Sequence, residues 1–360
     1  MTSSPTSSVG VALLGYGLGG AVFHGPLIAS IAGLTLDTIV TRDPARQAQA
    51  RRDHPNARIV ATTEEVWEGG RPPALVAIST PNRTHVPLAL QAIAHGAHVV
   101  VDKPMALTAT EGRLLALAAT RAQRLVIPFQ NRRWDGDFQT VRALLANDSL
   151  GAVHRFESRF ERWRAEPKGG WREVGGKEEG GGLLYDIGSH LIDQALVLFG
   201  PAKHVYAELD QRRAGVNADD DAFVALTHTS GVRSHLWATV VAAQGLPRFR
   251  VLGARSAYTK WGLDVQEGAL RTGLRPGNDT WGVEERDHWG SLGTDGAVEP
   301  VETARGNYLA FYEGVLTAMR GDSAPPVLIE EAIATLTIIE CAQESSARGV
   351  VVNVVNVAAT

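Results

Sequence analysis

Cysteine is almost absent from this 360-residue sequence, in which Cys341 stands alone. A single thiol excludes an internal disulfide and a thiolate metal cluster, and it suits a reducing cytoplasm. Long apolar runs are missing too: none approaches the roughly 18 residues that cross a bilayer. Residues 1–8 are polar and lack the basic-then-apolar order of a secretory signal, so a soluble cytoplasmic protein with no membrane partner is expected. Neither sign of charge dominates. Lys plus Arg number 35 against 39 Asp plus Glu, a net charge of −4, which implies no basic face for nucleic acid. What is present is ordinary globular material, 44% hydrophobic and 21% charged, in a chain long enough for about two domains.

Short apolar runs at 9–14, 35–40, 75–79, 98–101 and 125–128 alternate with helical spacing at 84–95 and 107–121. That alternation predicts an α/β unit with a parallel sheet covered on both faces and a ligand crevice at the strand carboxyl ends. The pattern changes after about residue 128. Segments 153–159, 222–228 and 232–240 alternate apolar with polar residues, and residues 228–231 read as a hairpin turn. A large, mostly antiparallel sheet follows, with one face solvated or used for association. Helices are expected at 183–199, 307–319 and 329–348. Residues 1–128 are thus assigned to a dinucleotide-binding domain and 129–360 to a substrate-binding and oligomerisation domain.

Gly15-Tyr16-Gly17-Leu18-Gly19-Gly20 follows the first strand directly and matches G-x-G-x-x-G. Glycines there permit a tight turn and close approach to a pyrophosphate seated on a helix N-terminus. The residue that reads the adenosine ribose should lie about 20 positions on, at the end of the second strand. Thr41 and Arg42 occupy that place, a hydroxyl beside a guanidinium, which favours the 2′-phosphate of NADP over NAD. Asp43 is a competing carboxylate if the strand end is shifted. Ser79-Thr80-Pro81-Asn82, with His85 beyond, ends the third run on the cofactor side, although helix capping alone would explain Asn82. Asp102-Lys103-Pro104 ends the fourth. A lysine held there is placed to hydrogen-bond a substrate hydroxyl and stabilise an alkoxide, whereas an isolated lysine is ordinarily a surface charge.

The richest stretch is Gly180-Gly181-Gly182-Leu183-Leu184-Tyr185-Asp186-Ile187-Gly188-Ser189-His190-Leu191-Ile192-Asp193. In a regular helix Asp186, His190 and Asp193 share one face, and a neighbouring carboxylate would orient the imidazole and raise its pKa for acid–base work. A buried, satisfied core histidine is the plainer reading. Two carboxylates and one histidine make a poor zinc set, so no metal is expected.

Taken together, GYGLGG at 15–20, STPN at 79–82, DKP at 102–104 and GGGLLYDIGSHLID at 180–193 make the chain resemble the Gfo/Idh/MocA oxidoreductases over nearly its whole length. Asp102 stands where that family usually has glutamate. AVFHGPLI at 21–28 and FQNRRWDGDF at 129–138 resemble its scyllo-inositol dehydrogenase branch. The resemblance implies an N-terminal Rossmann domain, a C-terminal α/β domain with a large open, mostly antiparallel sheet, and a homodimer or homotetramer formed through that sheet. It implies catalytic roles for Lys103, Asp186 and His190, with Asp193 as a substrate or supporting contact. It places Asn131 and Arg132 at the nicotinamide side, and Trp171 and Arg172 against cofactor or substrate. Asp102 joins the cofactor set, and Trp163 and Tyr185 the substrate set.

The implied reaction interconverts a ring secondary alcohol and its ketone, on an inositol, a sugar or an anhydro-keto sugar, with NADP(H) or NAD(H). His190 serves as base, Lys103 as the charge stabiliser, and Asp186 as the orienting group. A cofactor-binding sensor without turnover, or eliminating chemistry on a glycoside with a recycled nicotinamide, are the alternatives. Arg162, Arg164 and their neighbours would suit an acidic sugar, though solvated charges are the commoner explanation.

Overall fold

The computed structural model describes residues 8–68 and 72–355. Six strands form the first sheet: β1 (Val9–Leu14), β2 (Leu34–Val40), β3 (Arg58–Val60), β4 (Leu75–Ile78), β5 (His98–Asp102) and β6 (Val126–Phe129). All run parallel in the order β3-β2-β1-β4-β5-β6. Helices α1 (Gly25–Ala29), α2 (Pro44–Asp53), α3 (His85–Ala94) and α4 (Ala109–Ala122) make crossovers. A strand covered on both faces must be apolar at every position, and β4 is buried throughout. Its alternate residues feed two cores. Val76 and Ile78 pack with Ala12, Val99 and Ala89 on one side, and Leu75 and Ala77 pack with Val11, Leu13 and Leu27 on the other. The order reverses between β1 and β4, which opens a crevice at their carboxyl ends.

After β6 come α5 (Gly136–Ala146), the short α6 (Trp171–Val174), α7 (Ser189–Phe199), α8 (Gln266–Arg271), α9 (Leu309–Arg320) and α10 (Ile329–Arg348). They accompany a nine-stranded sheet of β7 (Val153–Glu161), β8 (Ala202–Asp210), β9 (Asp221–His228), β10 (Arg233–Thr239), β11 (Phe249–Gly253), β12 (Ala257–Lys260), β13 (Gly290–Thr294), β14 (Ala297–Val301) and β15 (Val352–Asn353). The order is β14-β13-β12-β11-β7-β10-β9-β8-β15, antiparallel except where β7 and β10 pair in parallel. The hairpin at 228–231 joins β9 to β10. Buried and half-buried residues alternate along β9: Ala222, Val224 and Leu226 face the helices, and Phe223 and Ala225 face outward.

One feature departs from the sequence reading, and another adds to it. Residues 184–188 form a π-helical turn ahead of α7 instead of its first regular turn, which changes the faces of the residues beyond. The chain also crosses back over the expected division at 128: Phe311, Tyr312 and Val315 of α9 pack with Val11, Leu13, Val100 and Ile127 of the first sheet. Among the described residues no helix is long and apolar enough to cross a membrane.

Candidate active site

The glycine turn after β1 divides its glycines by cause. Gly15 has φ +97°. A Cβ there would strike the Ser79 carbonyl oxygen, one at Gly19 would strike Ser79 Oγ, and one at Gly20 would strike the Gly15 carbonyl oxygen. Internal packing therefore demands those three. At Gly17 a Cβ would meet only Arg46 Nη1, at 3.7 Å, so this glycine faces open space that suits a diphosphate. Leu18 is exposed at the crevice mouth, whereas Tyr16 is buried and donates its hydroxyl to Asp53 at 2.8 Å.

At the end of β2, Thr41 is buried and Arg42 exposed. Asp43 Oδ1 accepts from the backbone N–H groups of Ala45 (2.8 Å) and Arg46 (3.1 Å), capping α2. Oδ1 thus has a structural duty, while Oδ2 lies 3.9 Å from Arg46 Nε. The same cap brings Arg46 beside Gly17, a cationic neighbour the sequence reading missed.

The STPN segment is spent largely on the protein itself. Ser79 Oγ donates to Asp102 Oδ2 at 3.1 Å, and Thr80 pairs with Thr84 at 2.6 Å. Asn82, which follows the exposed Pro81, is buried and donates to the Gly180 carbonyl at 3.0 Å, tying the first sheet to the glycine run. His85 is fully buried, its ring nitrogens 2.8 and 2.9 Å from the Pro104 and Thr80 carbonyl oxygens. The structure does not bring Asn82 or His85 to the crevice.

Lys103, Asp186 and His190 do converge. They line one crevice of about 120 Å³ with Gly19, Phe129 and Asn131. Lys103 Nζ donates to Asp186 Oδ1 at 2.9 Å and also to the Asp186 carbonyl oxygen, and Arg172 Nε lies 3.3 Å from the same Oδ1. Burial disfavours the Asp186 carboxylate, but Lys103 and Arg172 outweigh it and hold the pKa down at about 2. Asp102 stays ionised in the same way: burial opposes, and His24, Lys103 and His85 prevail, so its pKa falls well below the carboxylate range. Asp102 Oδ1 accepts the Lys103 backbone N–H at 2.8 Å, which fixes the residue carrying the ammonium.

His190 differs from expectation in its partner and in its pKa. Its ring is oriented by an amide: Nδ1–H donates to Gln130 Oε1 at 3.0 Å. No carboxylate raises its pKa. Burial, followed by the fields of Lys103, Arg132 and Arg248, drives it well below the ordinary histidine value. The ring is therefore neutral near pH 7, with the lone pair on Nε2. Gln130, buried at the end of β6, was missed by sequence reasoning because a lone amide beside a strand end has no distinguishing pattern.

Arg132 is buried at the crevice wall, 3.4 Å from Asp135 and 2.5 Å from Glu267, and these carboxylates raise its pKa against the opposing cost of burial. Glu267 and Arg271, from α8, also line the crevice and were not singled out from sequence. Three expected substrate residues lie elsewhere. Asp193 faces away because of the turn at 184–188, and both its oxygens bind Arg133, at 2.6 and 2.8 Å. Tyr185 is buried and donates to the Leu107 carbonyl at 2.9 Å. Trp163 is 60% exposed and bridges to Val241. Trp171 lines a neighbouring cavity of about 200 Å³, to which Arg172 and Asp186 also contribute. No group of three His, Cys, Asp or Glu side chains among the described residues is arranged to hold a metal ion.

Comparison with known proteins agrees with the two-sheet fold. Residues 9–129 match the family described as an oxidoreductase family with an NAD-binding Rossmann fold, and residues 142–354 match its C-terminal alpha/beta domain. The chain is 37% identical over 345 residues to scyllo-inositol 2-dehydrogenase (NADP(+)) IolW of Bacillus subtilis, covering 94% of each chain. It is 38% identical over 345 residues to the oxidoreductase YdgJ of Escherichia coli, covering 95% of this chain and 97% of that one. The solved structure of the oxidoreductase yvaA from Bacillus subtilis superposes with a TM-score of 0.90 at 34% identity, covering 96% of this chain and 98% of that one. A glycine turn open only at Gly17, a lysine–histidine crevice beside it, and matches spanning both sheets identify the chain as a member of the Gfo/Idh/MocA family of NAD(P)-dependent oxidoreductases.

Proposed function

We propose that the protein interconverts a ring secondary alcohol and the matching ketone of an inositol or sugar, using NADP(H) in a reducing cytoplasm. The observation that carries this reading is the pairing, in one crevice, of the Lys103 ammonium with a neutral His190 whose Nδ1–H is already committed to Gln130. That commitment leaves Nε2 as the proton acceptor. In the oxidative direction His190 Nε2 takes the hydroxyl proton. Lys103 donates a hydrogen bond to the same oxygen and stabilises its negative charge. Asp186 holds Lys103 in place, and Arg132 and Asn131 wall the crevice on the other side. When bound, the nicotinamide supplies the hydride acceptor.

Two observations favour the phosphorylated dinucleotide. Asp43 Oδ1 is engaged as a helix cap and its Oδ2 lies 3.9 Å from Arg46 Nε, and of the two exposed arginines here Arg46 borders the open side of Gly17 while Arg42 follows β2. The naming of IolW as an NADP(+) enzyme supports the same choice, and its substrate supports the polyol. The outward face of the second sheet suits contact between two copies. It carries Phe223 and Trp237 with ring centroids 5.0 Å apart and Arg159 4.0 Å from the Trp237 ring.

The test is a turnover screen of inositols, aldoses and anhydro-ketoses with NADP and NAD side by side, read at the reduced-nicotinamide absorbance band. Lys103→Met and His190→Ala are each expected to lower the rate by roughly 10²- to 10⁴-fold while nucleotide binding persists. Full rates in both variants overturn the mechanism.

A further inference from the structure

Among the described residues the charges lining the crevice itself are paired off with one exception, and in the adjoining cavity the exposed Lys168 is a second unpaired cation. Asp186 is matched by Lys103 and Arg172, and Glu267 by Arg132 and Arg271. In the adjoining cavity Glu173 is matched by Arg164 and Arg213, and Asp220 by Arg213. Arg162 lines both spaces and has neither an ion pair nor a side-chain hydrogen bond among the described residues. Its backbone is anchored, and its side chain is exposed. Its backbone N–H donates to the Thr239 carbonyl at 3.0 Å, its carbonyl accepts from Ala242 N–H at 3.1 Å, and its guanidinium lies 5.6 Å from the Phe160 ring centroid. Its side chain borders both the crevice and the adjoining cavity.

An exposed, unmatched guanidinium between a reaction crevice and a side cavity is a receptor for a planar or tetrahedral anion. We infer that the substrate ring carries an anionic substituent, a carboxylate or a phosphoryl group, which Arg162 binds while the reacting carbinol faces Lys103 and His190. The inference rests on the oxidoreductase reading of the crevice and narrows its substrate class. The local field agrees. Partial desolvation lowers the pKa of Arg162, and Arg132 and Arg164 press the same way, while Glu267 and Asp186 oppose them. An arriving anion relieves that repulsion. The neighbouring cavity, walled by Phe160, Trp171, Lys168 and Arg164, gives the substituent room beyond the ring.

The experiment uses the full chain and three probes that share one ring: glucose, glucuronate and glucose 6-phosphate. Dissociation constants come from intrinsic tryptophan fluorescence, since Trp171 lines the cavity, and turnover is followed with NADP. At least one charged probe is expected to bind roughly ten- to a hundredfold more tightly than glucose. That advantage should shrink with added salt, collapse in Arg162→Met and survive in part in Arg162→Lys. Preference for glucuronate assigns the site to a carboxylate, and preference for glucose 6-phosphate to a phosphoryl group. Equal affinity for all three probes overturns the inference, as does an advantage that Arg162→Met leaves intact. A protein that shows the charge preference by fluorescence but oxidises nothing in the wider polyol screen counts against the redox reading and leaves the anion site standing.

Discussion

Replacing Gln130 by glutamate changes one atom and leaves the size of the side chain alone, so it isolates what the amide does for His190. In the native site the imidazole donates Nδ1–H across 3.0 Å to a neutral oxygen, and burial together with Lys103, Arg132 and Arg248 keeps the ring unprotonated. A carboxylate in the same place puts a full negative charge about 4–5 Å from the ring centre. At an effective dielectric near 20 this attraction is about 3–4 kcal/mol, part of which is offset by burying the new charge, and opposite charges at such range raise a pKa by about 1–3 units. The imidazolium then persists to higher pH. The acid limb of the pH profile of kcat/KM for alcohol oxidation should move upward by about 1–3 pH units in Gln130→Glu, with the alkaline plateau retained. Gln130→Leu, which removes the acceptor and frees the tautomer, should instead lower the plateau without that upward shift. Steady-state oxidation rates measured from pH 5 to 10 check both. An acid limb that stays put or moves downward in Gln130→Glu refutes the assignment of His190 as the base oriented by Gln130.

Removing one partner of the buried Arg133–Asp193 pair, as in Arg133→Met, strands a carboxylate in the core and is expected to cost about 3–5 kcal/mol in urea unfolding. Arg42→Ala and Arg46→Ala should each raise KM for NADP by roughly ten- to a hundredfold and change KM for NAD far less. A parallel change in both constants would remove these arginines from 2′-phosphate recognition. Burial pushes the Asp219 carboxyl up to about 6, against hydrogen bonds from the Leu184 and Leu183 backbone that lower it. A raised folded pKa means the folded chain holds its proton more tightly, so this contribution to stability is complete below the ordinary carboxyl value and is lost as pH rises through 6. Unfolding free energies of wild type should therefore fall relative to Asp219→Asn between pH 4 and 6, at up to about 1.4 kcal/mol per pH unit.

Much of the first sheet was legible because its strands are buried on both faces and read as continuous apolar runs bounded by glycine or proline. β3, only three residues long, and the capped α2 carried no such run. In the second sheet the hairpin of β9 and β10 was legible from strict alternation, whereas β11 to β15 are short and lack it, with β14 almost wholly exposed. Within the crevice, Lys103, Asp186 and His190 were found because they lie at strand and helix ends in recognisable strings. The assumption of regular helical spacing then misplaced Asp193, since the wide turn at 184–188 rotates everything after it. Arg46, Gln130 and Glu267 reach the site from separate elements. Nothing in their local sequence distinguishes them from solvated or capping residues.

Helix α9 has a consequence for how the polypeptide is made. It supplies Phe311, Tyr312 and Val315 to the layer beneath β1, and the Tyr312 hydroxyl lies 2.6 Å from Nδ1 of His24. During synthesis the amino-terminal third emerges with that side of its sheet covered only in part, by Leu27 and Ile28 of α1 and Ala50 of α2, and it remains so until some two hundred further residues have been translated. A nascent chain in this condition presents a sticky, half-clad surface to chaperones, and a fragment severed near residue 128 would keep that surface permanently.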